Sequence, residues 1–148
     1  SQTKDGIENH ITALLGGRAA EEVLLGQATA GAGVGEQSDF SRATSAAIDL
    51  ELRFGFGSIG VAHFSERATE LLLHDPSIIA LIKKRLDRCH SIARDLVAKN
   101  HVTLEAVARR LEKTGYLDRT AIDELLKNYP VSIDGHPTSS RHATEFVQ

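Results

Sequence analysis

Apolar residues Ile7, Ile11, Leu14, Leu15, Ala19 and Val23 recur at spacings of three and four, which predicts an amphipathic helix over residues 5–25. Gly16 and Gly17 fall inside it, and two helical glycines imply either a break or a close approach of another backbone. Residues 26–37 hold four glycines and three alanines without a period and read as a flexible loop. Ser38 then makes a good helix cap, with Asp39 where a negative charge meets the helix dipole. Phe40, Ala43, Ala47, Leu50 and Phe54 continue the rhythm and predict a helix over 38–54, ended by Gly55 and Gly57.

Residues 59–65 form a short mixed segment, either a strand or an extended connection. A long helix is expected over 75–100, with Pro76 in its first turn and Ile78, Ile82, Leu86, Cys89, Ala93 and Leu96 along one face. The opposite face is basic. Two shorter helices, 103–113 capped by Thr103 and ended near Gly115, and 118 or 120 to 128, look like a helical hairpin. The fold class is therefore mainly α, a long central helix followed by a C-terminal hairpin. Residues 129–148 read as a tail that is loose or borrows order from a neighbour, and there is no internal repeat.

At 148 residues, 41% hydrophobic and 25% charged, the chain belongs among soluble globular proteins, and a chain of this size buries roughly 70% of its unfolded surface. The lone Cys89 excludes a disulfide framework. Seventeen basic against 20 acidic residues give a net charge of −3, with no global field to attract nucleic acid or anionic lipid. No apolar run approaches the ~20 residues of a membrane span, and no charged-then-apolar leader opens the chain. The absence of methionine means that Ser1 is not an untouched translation start, and excision from something longer is the expectation. Half a catalytic site would then lie upstream of residue 1.

His10, His63, His74, His90, His101, His136 and His142 never form a helical i, i+4 pair, and no HExxH is present, so the chain holds no all-protein zinc site of that kind. Cys89 and His90 are helical neighbours that point about 100° apart, and Cys89 is expected to be a small buried hydrophobe rather than a nucleophile. Lys83, Lys84, Arg85, Arg88, Arg94 and Lys99 crowd the long helix, but Asp87 and Asp95 dilute them and no aromatic residue is interleaved, so a solvated face is expected rather than a nucleic-acid interface. The glycine-rich loop lacks GxxxxGK[ST], and Glu36 and Asp39 put negative charge where an anion would sit. Glu21, Glu22 and Asp39 remain, and taken alone they are a helix surface and a helix-start charge.

The combination LGGRAAEE at 15–22, Gly26, TAGA at 29–32, SDF at 38–40, AT at 43–44 and FG at 54–55 resembles the peptidase domain of the FtsH family, in order and spacing over residues 5–128. Those are membrane-anchored, ATP-dependent zinc metalloproteases. The resemblance implies a mostly helical fold and a zinc held by two histidines of an upstream HExxH helix and a downstream aspartate, which falls on Asp39. The glutamate of HExxH would act as general base on a zinc-bound water. Glu21 or Glu22 is the rival ligand, expected instead to support helix packing. The chain departs from the family at Ala28-Thr29-Ala30, where two threonines are common, in a loop to the aspartate that is longer by several residues, and at Phe56, where methionine is usual.

The expectation is thus the C-terminal part of a metallopeptidase domain, residues 1–128, with a tail over 129–148. Asp39 would be its metal ligand, and no catalytic or other cofactor-binding residue lies in the chain. Without HExxH it would be inactive alone. The parent would carry ATP in its ATPase module, form a hexameric ring with the long helix and hairpin at subunit contacts, and degrade unfolded or membrane polypeptides on the cytoplasmic side of a bacterial inner membrane. The alternative is an inactive helical scaffold or oligomerisation module derived from that family, in which Asp39 is only a capping charge.

Overall fold

A computed structural model describes residues 3–26 and 38–133. Six α-helices account for most of them, and no strand occurs among the described residues. They are α1 (Lys4–Leu25), α2 (Asp39–Ile48), α3 (Glu66–Leu72), α4 (Pro76–Lys99), α5 (His101–Thr114) and α6 (Arg119–Asn128), and a π-helical turn, Asp49–Arg53, continues α2. The chain divides into two compact units, Ser1–Ala98 and Lys99–Gln148.

In the first unit, α1 starts at Thr3, whose hydroxyl accepts from the amide of Gly6 at 3.1 Å. It runs unbroken through Gly16 and Gly17, and among the described residues nothing lies within 4 Å of where a Cβ on either would stand. The expected break or close approach is therefore not found there; the buried stripe of Ile7, Ile11, Leu15 and Ala19 offsets the ~1 kcal/mol that each glycine costs a helix. Helix α2 packs on α1 through the fully buried Ala43 and Ala47, small side chains that let the two axes approach closely. Helix α4 completes the core with Ile78, Ile82, Cys89 and Ala93.

The expected helix over 38–54 is α-helical only to Ile48. Beyond it the amide of Phe54 donates to the carbonyl of Asp49 at 2.9 Å, the wider i to i−5 spacing of a π turn. Leu50, Glu51 and Leu52 are all buried in succession, which a regular α-helix does not do on one face. The ends of the expected stripe, Phe40 and Phe54, are exposed instead.

Residues 59–65 form an irregular connection, tied back where the amide of Phe64 donates to the carbonyl of Leu52 at 2.8 Å. The short α3 that follows was not foreseen; its cap is Ser65, whose hydroxyl accepts from the amide of Ala68. The loop expected over 26–37 lies outside the described residues except for Gly26, which ends α1 in a left-handed conformation. The tail beyond residue 133 also lies outside them.

In the second unit α5 and α6 form the expected hairpin. Helix α5 begins two residues earlier than foreseen, so Thr103 is not its cap; the residue is buried and its hydroxyl donates to the carbonyl of Tyr129 at 3.2 Å. Gly115 closes α5 with φ +77°, a conformation that suits glycine, and Asp118 caps α6 by accepting from the amide of Ala121 at 2.7 Å. Asn100 and Ser132 bond each other twice, the Asn100 amide donating to the Ser132 carbonyl at 2.9 Å and the Ser132 N–H to Asn100 Oδ1 at 2.7 Å.

Candidate functional site

Helix α2 begins where Ser38 Oγ accepts from the amide of Ser41 at 3.2 Å, which fixes the first turn and with it the direction of Asp39. The Asp39 side chain is 62% exposed, and its carboxylate meets Arg42 Nη1 at 3.3 Å, a solvent-facing pair that holds it weakly. Asp39 stands at a small cleft of about 90 Å³ between α1 and α2, whose other walls are Leu14, Leu15, Gly17, Arg18, Glu21 and Phe40. The LGGRAAEE stretch and the SDF stretch are thus brought together, with Asp39 and Glu21 in one cleft.

Glu22 lies elsewhere. Its Oε1 accepts from Arg18 Nε at 3.0 Å, and its Oε2 faces α4, 3.1 Å from His90 Nε2 and 3.6 Å from Arg94 Nε. His90 Nε2 is not aligned to hydrogen-bond that carboxylate, so their attraction grows only when the imidazole is protonated. His63 donates from Nδ1 to the carbonyl of Arg53 at 2.6 Å and serves the connection after the π turn. His136 and His142 lie outside the described residues.

Among the described residues no three His, Cys, Asp or Glu side chains converge as a metal site. A catalytic zinc takes three protein ligands and keeps one position for water. The donor set here is one accessible carboxylate at a fixed helix start, with a second in the same cleft. That chemistry suits a contribution to a zinc shell and falls short of a whole one.

A charged cluster that the sequence reading passed over lies inside the first unit. Arg85, expected on the solvated basic face of α4, is 8% exposed and points into the core. It donates to Glu51 Oε1 from Nε at 2.9 Å and Nη2 at 2.7 Å, and from Nη1 to Glu8 of α1. The second Glu51 oxygen accepts from the amide of Ser58 at 2.8 Å. Burial alone would pull the guanidinium down, but the hydrogen bond and charge of Glu51, joined by Glu8, outweigh it and hold Arg85 above its ordinary value. The signal was there: residue 85 lies three after Ile82 and four before Cys89, on the apolar stripe, and Glu51 sits between two leucines.

Cys89 is fully buried, and burial pushes its thiol pKa up, as befits an inert core residue.

The described residues build helices and put a carboxylate at a helix start beside the GGRAAEE helix, and comparison with known proteins supplies the family. The model of Peptidase family M41 matches residues 1–125, and the chain belongs to that family. It is similar to the ATP-dependent zinc metalloprotease FtsH of Cupriavidus metallidurans, 28% identical over an alignment of 142 residues, gaps included, that covers 88% of this chain and 21% of the relative. The FtsH of Bacillus subtilis is 29% identical over 140 residues, 84% of this chain and 21% of that protein. The FtsH of Aster yellows witches'-broom phytoplasma is 27% identical over 127 residues, 84% of this chain and 18% of its own length. The chain therefore spans about a fifth of the length of these curated relatives.

Proposed function

We propose that these 148 residues are the C-terminal part of the proteolytic domain of an ATP-dependent zinc metalloendopeptidase, in which Asp39 supplies the third zinc ligand. The observation that carries this reading is the placement of Asp39: an exposed carboxylate on a capped first turn, at the mouth of a cleft shared with the GGRAAEE helix. A bound zinc would polarise a peptide carbonyl and activate water. The role of this chain is to hold one oxygen donor rigidly. The histidine donors and the general base belong to an HExxH segment that residues 1–148 do not contain, so this stretch by itself is inactive.

The name of the relatives, ATP-dependent zinc metalloprotease, supports polypeptides as substrates and a dependence on ATP; an ATPase module that feeds polypeptide to the site is part of the proposal. A hexameric ring anchored at a bacterial inner membrane, with this domain on the cytoplasmic side, completes the proposal. No helix among the described residues is long and apolar enough to cross a membrane, so an anchor would come from other segments.

The test is degradation of an unfolded polypeptide by the full-length protein with ATP. Activity that a zinc chelator removes, and that Asp39→Asn abolishes while the helical content stays unchanged, is the expected result. A full-length protein with no such activity leaves the scaffold reading in its place, and activity that is indifferent to Asp39→Asn removes Asp39 from the zinc shell.

A further inference from the structure

Asp39 is a useful ligand only if its helix turn is held still, because a metal shell tolerates displacements of no more than about 0.5 Å. Phe40, the next residue, is 44% exposed and has no slot in the core. Its ring is covered instead by Arg18 of α1, whose guanidinium carbon lies 5.6 Å from the ring centroid. The same guanidinium is held by Glu22, and Glu22 in turn faces His90 and Arg94 of α4. Arg18 and Phe40, with Leu15, line both the Asp39 cleft and a neighbouring cavity of about 260 Å³ against α4, so the stacked pair is part of what separates the two.

We propose that Arg18 is a positioning residue: stacked on Phe40 and anchored by Glu22, it latches the first turn of α2, and so Asp39, onto α1. This rests on the reading of Asp39 as a metal ligand, but the latch has a consequence that needs no metal. A cation over an aromatic ring at a half-exposed site slows local opening by a factor of about 2–5. In the full-length protein, Arg18→Ala should therefore speed amide hydrogen exchange at Ser41 and Arg42 by about that factor. Phe40→Ala should do the same, the double variant should be no faster than either single one, and Arg18→Lys should fall between. The dissociation constant for zinc should rise by a similar factor in Arg18→Ala and recover in part in Arg18→Lys. Lys83→Ala, on the far wall of the second cavity, should change neither.

Exchange at wild-type rates in Arg18→Ala, or additive effects of the two alanine variants, overturns the latch. Coupled exchange effects in a protein that binds no zinc uphold the latch and refute the metal reading instead.

Discussion

Two carboxylates mark the two ends of one helical segment, and they live in opposite circumstances. Glu51, in the π turn that ends it, is 2% exposed, and both of its oxygens are taken, by Arg85 and by the amide of Ser58. Asp39, in the first turn, faces solvent and meets one exposed arginine. A buried charge must keep its partners or the fold loses several kcal/mol, so Glu51 is committed to Arg85 and Ser58 and is out of reach of solvent. An exposed carboxylate gives up water and a weak ion pair at little cost, so Asp39 is free to bind. The same residue chemistry thus serves architecture at one end and availability at the other.

That contrast is broken most forcefully at Arg85. Arg85→Leu leaves Glu51 and Glu8 as uncompensated charges in the core, and thermal or denaturant unfolding should show a loss of about 3–5 kcal/mol. If the loss is within experimental error of zero, the cluster is not the buried brace described here.

Gly57 comes next. A Cβ there would stand 2.6 Å from Glu51 Cα and 2.8 Å from its carbonyl oxygen, so Gly57→Ala must push the turn away from Glu51. A loss of about 1–3 kcal/mol is expected from such overpacking, measured by urea unfolding.

A third carboxylate sharpens the comparison, with a smaller effect. Asp75 is fully exposed yet not idle: it accepts at Oδ1 from the Ser77 hydroxyl at 2.7 Å and the Ser77 amide at 2.8 Å, at the start of α4. These bonds, the hydroxyl first, hold its pKa below the ordinary 3.8. A lowered carboxyl pKa contributes stability that is whole above the unfolded value and drains away as the pH falls from there through the folded one. Asp75→Asn should therefore flatten the acid limb of the stability profile below about pH 4 while leaving its neutral region shifted by a constant amount.

Most of the helical frame was legible because it rests on local signals. The three-and-four stripes of α1 and α4, the serine before Asp39 and the glycine after α5 each act within a turn or two of the chain. What escaped depended on pairing across the chain. Arg85 looks like one more cation in a basic run until Glu51, 34 residues away, and Glu8, 77 away, are placed beside it. The π turn escaped because the stripe from Phe40 to Leu50 keeps helical time, while the wider winding shows in the bond from the Phe54 amide to the Asp49 carbonyl and in the burial of three successive residues. Thr103 was misread as a cap because its true partner, the carbonyl of Tyr129, lies across the hairpin. The cleft itself was half legible: its residues were singled out in two separate motifs, while their meeting is a matter of α1 packing on α2.

The most direct measurement of the central claim is the zinc content of the purified full-length protein, wild type against Asp39→Asn, with unfolding followed on the same samples. Near one zinc per chain in the wild type, sharply weakened binding in the variant, and a change in stability of no more than about 1 kcal/mol once the metal is stripped is the predicted result. Equal zinc in both proteins, or none in either, would contradict the assignment of Asp39 to the metal.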